Sequence, residues 1–406
     1  MSGIKRREFL LSASAAPLAL ASVVVAPLEM TSSASASNRS AGPPAAGLEL
    51  CGRFQNALES MRTKFNLPGI TAGYVLADGQ TGMAAAGFDD VRSNTYLTPQ
   101  SRMMSGSVGK TFVAAEALKL VLAGRLQLDQ RISEWLGERL WFARLANASQ
   151  ITLRQLLTHS SGLIDHSYTK GWQADIGPRS VAPAIPMSAE ESIGYILGEP
   201  ALFAAGKGYA YTDTGYLLVG LIIERVSGER YYDLIKRDFL DPLGLTLTIP
   251  SDRPALPGLA QGYPDQSGPF TLPATTEESP GLMRWNPSSE WTGGGLASNP
   301  HDLARWAKAL YEGRAMQGIY LPELLKGVAT GPREPDRFYG LGVMIWNSPQ
   351  GLAYGHSGWF PGYKTEMVHY PARRIALAFQ TNTDAAAPNS KPMTEIRSRL
   401  TRALMS

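Results

Sequence analysis

Hydrophobic residues form strand-like runs near both ends of the chain and helical spacings between them. Near the start, apolar runs at 70–76 and 83–88 flank Asp78-Gly79, which predicts two strands joined by a turn. The C-terminal part returns to strand-like runs at 341–346, 352–354, 364–369 and 375–380. We expect the strands from both ends to pair in one antiparallel sheet.

Apolar residues recur at helical spacing in much of the intervening chain. Residues 54–65 form an amphipathic pattern that stops at Pro68-Gly69, and residues 110–123 form a strongly helical run. Further helices are predicted at 153–157, 189–197, 216–226, 231–239, 300–311 and 394–405. The order of elements predicts an α+β, three-layer fold, in which helices flank the sheet and a mainly helical region is inserted at about 120–290.

The length and composition fit one large domain. The chain has 406 residues, of which 44% are hydrophobic and 18% are charged, and this is ample for a sizeable core. The formal net charge is only +3, and the lysines and arginines are scattered beyond the first few residues. The composition therefore gives no electrostatic case for nucleic-acid binding.

The N-terminal segment resembles a twin-arginine export signal. Lys5-Arg6-Arg7 precedes the apolar Phe9-Leu10-Leu11, and Ala34-Ser35-Ala36 offers small residues for cleavage. A membrane anchor is the alternative, but the apolar run is short and Pro17 interrupts it. We expect residues 1–36 to be a cleaved signal, which predicts a periplasmic or secreted protein with no stable membrane span after cleavage.

The segment after this signal is rich in Ser, Ala, Pro and Gly. We expect residues 37–50 to be a disordered lead-in to a folded domain that spans 51–406. Cys51 is the only cysteine, so no internal disulfide can form. We interpret Cys51 as a small buried side chain and not as a nucleophile.

Candidate chemistry begins with Ser107 and Lys110 at the start of the helical run 110–123. A helix places residues i and i+3 on one face, so the hydroxyl and the amine can meet. A serine hydroxyl needs an adjacent base to act as a nucleophile, and a desolvated lysine can be that base. The same pair also occurs as an ordinary N-cap and a solvated lysine, so it assigns no function alone.

Two later segments add polar groups at the ends of predicted elements. Tyr211-Thr212-Asp213 lies in a loop that runs into an apolar helix, and we expect Asp213 or Thr214 to cap that helix. His356-Ser357-Gly358 ends a strand-like run, where Gly358 permits close approach of a backbone or a ligand. The ordinary alternatives are a helix start with Tyr211 in the core and a histidine in a tight turn.

In this order and at these separations, the three segments resemble the motifs of the serine β-lactamase and penicillin-binding protein superfamily. The likeness is to its class C β-lactamase, D-alanyl-D-alanine carboxypeptidase and family VIII esterase branch. Ser107 and Lys110 match Ser-x-x-Lys, residues 211–213 match Tyr-x-Asn with one departure, and residues 356–358 match Lys/His-x-Gly. The resemblance covers about residues 52–404, including signature-like stretches at 156–163 and 293–298. It implies the β-lactamase/transpeptidase-like fold.

The resemblance implies a serine hydrolase that works through an acyl-enzyme, with no cofactor or metal. Ser107 would attack a carbonyl carbon, with either Lys110 or Tyr211 as the acylation base. The backbone N–H groups of Ser107 and Trp359 would form the oxyanion hole. His356 would hold a substrate carboxylate or stabilise the Tyr211 phenolate, in a pH-dependent manner. The implied substrate and oxyanion positions are Asp213, Ser357, Gly358 and Trp359.

Asp213 departs from the neutral asparagine of the Tyr-x-Asn motif. An ionised carboxylate only accepts hydrogen bonds, and it favours the charged form of a neighbouring Lys110. This weakens Lys110 as a base and shifts the burden to Tyr211. Either Asp213 disfavours anionic β-lactams, or it favours substrates that carry an amino group near the scissile bond.

We expect the substrate to be a small molecule or a peptide, and cell-wall peptides are one class of such substrates. His356 in place of lysine favours a D-amino-acid peptide or a carboxylic ester, and Trp359 and Phe360 predict an apolar wall beside the oxyanion hole. β-Lactam hydrolysis is the alternative reaction. A non-catalytic penicillin-binding-like binder or sensor is the alternative function.

Two other enzyme classes fit the chain less well. An α/β-hydrolase elbow needs Gly-x-Ser-x-Gly, but the segment 105–109 begins with serine and leaves Lys110 unexplained. A metalloenzyme is disfavoured because the five histidines offer only His159 and His166 as a loose pair. We assign His159, which ends a helix before a glycine turn, a structural role.

Overall fold

Strands from both ends of the chain pair in one antiparallel sheet. The computed structural model describes residues 45–180, 186–267, 272–332, 334–385 and 391–405, so the predicted signal segment lies outside the described residues. Within these residues the main sheet has nine strands in the order β3-β2-β1-β14-β13-β12-β11-β10-β9. The strands are β1 (Gly69–Val75), β2 (Thr81–Asp90), β3 (Thr95–Tyr96), β4 (Met103–Met104), β5 (Ile249–Pro250), β6 (Glu277–Ser279), β7 (Leu282–Met283), β8 (Leu296–Ser298), β9 (Val328–Ala329), β10 (Arg337–Tyr339), β11 (Met344–Ser348), β12 (Gly351–Phe360), β13 (Tyr363–Tyr370) and β14 (Ile375–Thr381).

The helices lie on both faces of this sheet and in the region between its N-terminal and C-terminal strands. They are α1 (Ala45–Lys64), α2 (Lys110–Leu122), α3 (Ser133–Leu136), α4 (Leu153–Leu157), α5 (Lys170–Ser180), α6 (Ala189–Gly194), α7 (Asp213–Ser227), α8 (Tyr231–Ile235), α9 (Pro300–Tyr311), α10 (Leu321–Leu324) and α11 (Pro392–Met405). None of the helices in the described part of the chain is long and apolar enough to cross a membrane.

The central strands are buried on both faces. Strand β1 pairs with β14 in the register Ile70↔Thr381, and every residue of both strands is buried. Leu377 and Phe379 of β14 pack with α1 and α11, while the alternating Ala376 and Ala378 pack with α2, α7 and α9. Because successive side chains of a strand point to opposite faces, this alternation builds three layers. The predicted α+β, three-layer fold is confirmed.

Two local expectations at the N-terminal side are wrong. Helix α1 begins at Ala45, inside the expected disordered lead-in 37–50. Cys51 is exposed, because Leu50, Phe54 and Leu58 form the buried stripe of α1 and position 51 lies at its margin, where Sγ is 3.8 Å from the Tyr74 hydroxyl. The residues 45–405 belong to one compact unit.

Candidate active site

Ser107 lies on a short 3₁₀ turn, Gly106–Gly109, that leads directly into α2. Lys110 is the first residue of α2, and its Nζ lies 2.9 Å from Ser107 Oγ. The lysine is fully buried, whereas Ser107 is partly exposed at the wall of a cleft of about 1100 Å³. The three-residue spacing therefore brings the hydroxyl and the amine together, and only the hydroxyl faces the cleft.

Three oxygen atoms surround the Lys110 amine. It contacts Ser107 Oγ, it donates to the carbonyl oxygen of Gly293, and it lies 2.5 Å from Asp213 Oδ1. The rings of Tyr211 and Tyr216 flank it, with centroids 5.0 and 5.3 Å from Nζ. Two oxygen atoms that accept hydrogen bonds and one carboxylate oxygen in an ion pair thus surround the amine.

Tyr211 lies beside Ser107 in the same buried pocket. Burial and the Asp213 carboxylate raise the pKa of Tyr211 well above its usual value, and the neighbouring Ser107 hydroxyl offsets this only in part. The ring of His159 packs on Tyr211 with a centroid separation of 4.1 Å. His159 Nδ1 also accepts a hydrogen bond from Thr212 N–H, so His159 supports the segment that carries Tyr211.

The cap of α7 comes from another loop, which corrects the expectation that Asp213 or Thr214 caps this helix. Thr212 occupies the N-cap position, but its hydroxyl donates to the Ile164 carbonyl oxygen and does not cap the helix. Asp165 supplies the acceptor, since its Oδ2 receives the Asp213 N–H at 2.7 Å. Thr214 Oγ1 instead accepts from His166 N–H at 2.9 Å. The Asp213 carboxylate therefore takes no part in capping the helix and pairs with Lys110 instead.

His356 is buried, and both of its ring nitrogen atoms are engaged. Nδ1 lies 2.6 Å from the carbonyl oxygen of Ser357 and must donate to it, so Nε2 accepts from the Tyr339 hydroxyl at 2.7 Å. Burial, with Lys110 acting in the same direction, lowers the pKa of His356 to about 3. A neutral imidazole with both nitrogens engaged does not fit the expected role of binding a substrate carboxylate. His356 instead packs near Tyr211, at 6.2 Å between ring centroids.

Gly358 and Trp359 bring the edge of β12 against the Ser107 turn. Strand β11 pairs with β12 only as far as Gly355, so residues 356–360 lack a strand partner on that side. A Cβ atom at position 358 would lie 1.9 Å from Ser105 O and 3.2 Å from Ser107 N. The backbone of the strand thus packs closely on the backbone of the turn, which is the place where the expected oxyanion hole of Ser107 and Trp359 would lie.

The side chains along β12 alternate between the two faces of the sheet. His356 lies opposite Met367, which packs with α2, whereas Ser357 lies opposite Glu366. The Ser357 hydroxyl contacts Met344 Sδ at 3.8 Å on the α1 and α11 side. Ser357 and Met344 both line the cleft, and Ser357 stays a predicted substrate position.

Several site residues carry no signal in the motifs. Asp165 and Tyr339 belong to a loop and to strand β10, and Glu290 precedes Gly293 by three residues. Burial raises the pKa of Glu290 to about 8, against the lowering effect of Lys110. Among the described residues, Glu290 Oε2 has no hydrogen-bond partner. Only the proximity of positions 290 and 165 to recognised motifs could have drawn attention to them.

The wall of the cleft away from the lysine is largely aromatic. Trp285 and Phe360 lie side by side with ring centroids 6.4 Å apart, and both line the cleft. Tyr168 lines it from the segment that leads into α5, and Trp172 lines it from α5 itself. This wall fits the apolar part of a substrate placed beside Ser107.

The fold and the Ser107–Lys110–Tyr211 arrangement define the class of serine hydrolases that pair the nucleophile with a lysine and a tyrosine. The chain belongs to the beta-lactamase family, whose model matches residues 54–399. The resemblance drawn from the motifs is confirmed.

Relatives in this family include penicillin-binding proteins and D-aminopeptidases. The chain is 28% identical to penicillin-binding protein 4* of Bacillus subtilis over 73% of its own length, and it spans 64% of that relative. It is 24% identical to a D-aminopeptidase of Brucella anthropi over 77% of its length, and it spans 56% of that relative. A D-stereospecific amidohydrolase from a Streptomyces species has a similar structure, with a TM-score of 0.72, 25% identity, and coverage of 87% of this chain and 98% of the other.

Proposed function

We propose that this protein is a serine hydrolase that forms an acyl-enzyme on Ser107 and cleaves amides of D-amino acids with a free amino group. The observation that supports this proposal most directly is the position of the Asp213 carboxylate. Its Oδ1 lies 2.5 Å from Lys110 Nζ, and the residue lines the cleft. A carboxylate at this place attracts a substrate ammonium and repels a substrate carboxylate. A D-aminopeptidase and a D-stereospecific amidohydrolase among the similar proteins support the same substrate class.

The state of His356 supports the same choice over a β-lactam or a carboxypeptidase-type substrate. Those substrates carry a carboxylate near the scissile amide, and a cation at the third motif would pair with it. His356 is buried and neutral at the pH values of an assay, because its pKa lies at about 3. Among the described residues, Lys110 is the one cation in contact with Ser107 or Asp213, and Asp213 already pairs with it.

The proposed reaction begins when Ser107 Oγ attacks the amide carbon. The backbone N–H groups of Ser107 and Trp359 stabilise the negative charge on the carbonyl oxygen. The Ser107 proton passes through Lys110 and Tyr211 to the leaving nitrogen, and the C–N bond breaks. Water then attacks the acyl-enzyme and releases the D-amino acid.

A panel of chromogenic substrates tests this proposal. It contains D-alanine p-nitroanilide, its L enantiomer, N-acetyl-D-alanine p-nitroanilide, p-nitrophenyl butyrate and nitrocefin, each with the native protein and with Ser107→Ala. We expect the highest kcat/KM for D-alanine p-nitroanilide and loss of turnover in Ser107→Ala. Preference for nitrocefin would establish a β-lactamase instead. Background rates for all five, with no Ser107-dependent labelling by a fluorophosphonate, would favour the non-catalytic binder.

An esterase is the second candidate, because the aromatic wall of Trp285 and Phe360 fits a short acyl chain. Esters need less help for the leaving group than amides do, so a site with a weak base hydrolyses them first. A kcat/KM for p-nitrophenyl butyrate above that for every anilide would support this candidate.

Export is also part of the proposal, and it rests on residues 5–11 and 34–36 of the sequence. Expression of the full chain with Arg6 and Arg7 changed to lysine tests it. We expect the native chain to reach the periplasm or the medium in a shortened form, and the variant to remain inside the cell at full length.

A further inference from the structure

The free active site holds no group ready to take the Ser107 proton. Lys110 Nζ donates to Ser107 Oγ and to the Gly293 carbonyl oxygen, and it forms an ion pair with Asp213, with 2.5 Å between Nζ and Oδ1. Tyr211 is a neutral phenol, since burial and Asp213 favour its protonated form. An ammonium has no lone pair and a neutral phenol is a very weak base, so neither can take the Ser107 proton. Something must therefore weaken the hold of Asp213 on Lys110 before acylation.

Asp213 separates Lys110 from the cleft. The lysine side chain is 0% exposed, whereas 32% of the Asp213 side chain is exposed and Asp213 lines the cleft. Oδ1, the oxygen on the lysine side, is buried. The open side of the carboxylate is thus available to a ligand that reaches the cleft, while the lysine itself is not.

Other ionisable groups face Lys110 from each surrounding element. Glu290 carries a buried carboxyl whose Oε2 has no hydrogen-bond partner among the described residues, and the neutral rings of His159 and His356 lie nearby. Tyr211, just before α7, and Tyr216 of α7 flank the amine, and Asp165 with His166 lies behind Asp213. Of these groups, Asp213 is the acidic residue that both contacts the lysine and lines the cleft.

We infer that the amino group of the substrate activates the enzyme by competing with Lys110 for the Asp213 carboxylate. This inference rests on the proposed function. It means that Asp213 affects the rate of acylation, and therefore kcat, in addition to binding the substrate. A substrate ammonium on the open side of Asp213 places a second cation beside Lys110. Lys110 then releases one proton to solvent through the cleft and becomes the free amine.

The remaining steps conserve protons. The Lys110 amine takes the proton of Ser107 as Oγ bonds to the carbonyl carbon, and this proton reaches the leaving nitrogen as the C–N bond breaks. Substrate binding therefore brings one positive charge and expels one proton, so the net charge of the site is unchanged. A substrate without an amino group leaves Lys110 protonated and reacts slowly, even when it binds.

D-Alanine p-nitroanilide and propionic acid p-nitroanilide differ by one amino group and provide the first test. We expect kcat to be at least about tenfold higher for the alanine compound, the change that 1.36 kcal/mol in the barrier produces. Added methylammonium chloride should raise kcat for the propionyl compound in the native enzyme, with potassium chloride as the ionic-strength control. Mass spectrometry must show propionate as the product, because N-methylpropionamide would mean that methylamine acted as a nucleophile.

Asp213→Asn supplies the second test, with Asp233→Asn on an exposed position of α8 as the matched control. In Asp213→Asn we expect the methylammonium effect to vanish and the kcat ratio between the two anilides to approach one. Asp233→Asn should keep both properties. Equal kcat values for the two compounds in the native enzyme, with no effect of methylammonium, would overturn the inference while leaving the proposed function intact. Absence of Ser107-dependent anilide hydrolysis would overturn the proposed function itself.

Discussion

Gly358→Ala tests whether the close packing of β12 against the Ser107 turn sets the reaction geometry. The added Cβ would lie 1.9 Å from Ser105 O, and protein Cβ atoms essentially never approach closer than 3.0 Å. The strand and the turn must therefore separate by at least 1.1 Å, the difference between these two distances. The same movement displaces Ser107 N, which lies 3.2 Å from that Cβ position.

A displacement of about 1 Å in a catalytic group lowers the rate on the order of 100-fold. We expect Gly358→Ala to lower kcat/KM by about this factor on the best substrate of the panel, mainly through kcat. The overpacked contact should also destabilise the fold by about 1–3 kcal/mol. Steady-state kinetics, thermal unfolding and fluorophosphonate labelling of Ser107 together separate misplacement of the nucleophile from unfolding.

Gly194→Ala is the matched control, because a Cβ at position 194 meets no atom within 4 Å. This variant should keep native kcat/KM and native stability within small changes. If Gly358→Ala retained kcat/KM within about twofold of native with an unchanged melting temperature, the oxyanion-hole geometry argued from this contact would be refuted.

Three further predictions concern charge and capping. The pKa of Glu290 is about 8 in the fold and 4.5 in the unfolded chain, so the folded protein binds more protons and loses stability as pH rises from 4.5 to 8. In Glu290→Gln the melting temperature should therefore fall less between pH 5 and 8 than in the native protein. An unchanged pH dependence of the melting temperature would contradict this. Asp165→Ala removes the acceptor for Asp213 N–H and should destabilise the protein by about 1–2 kcal/mol in urea unfolding, with Asp233→Ala near neutral. The pKa of His356, about 3, lies below its unfolded value of 6.5, so its contribution to stability is present above pH 6.5 and is lost as pH falls toward 3. An NMR titration, with the signal assigned through His356→Asn, should show no protonation of His356 between pH 5 and 8.

Local patterns predicted most of the long elements, but they missed α5 and gave only residues 352–354 of the ten-residue β12. The alternating and helical spacings indicated β1, β2, β13, β14, α2, α9 and α11 close to their observed bounds, because burial of one face or both faces imposes these periods. Short strands such as β4 and β8 were not predicted, because two or three residues are too few to show an alternation of hydrophobic and polar positions. The start of α1 at Ala45 also escaped, because its first turn lies in a segment whose composition suggested disorder.

The sequence by itself determined the contacts that arise within one turn or one strand. The i, i+3 spacing of Ser107 and Lys110 suffices to bring their side chains together at a helix start, and the order of the three motifs identified the family. The identity of Asp213 also showed from sequence that the lysine faces a carboxylate. These inferences needed only local geometry and the chemistry of the side chains.

Only the tertiary structure decided the protonation state and the partners of these groups. Asp165 caps α7 from 48 residues away, the Gly293 carbonyl reaches Lys110 across 183 residues, and Tyr339 fixes the His356 ring. Burial and long-range hydrogen bonds set these properties, and both depend on how distant segments pack. His356 therefore changed from an expected carboxylate ligand to a buried neutral support. Asp213 became the group through which the cleft acts on Lys110.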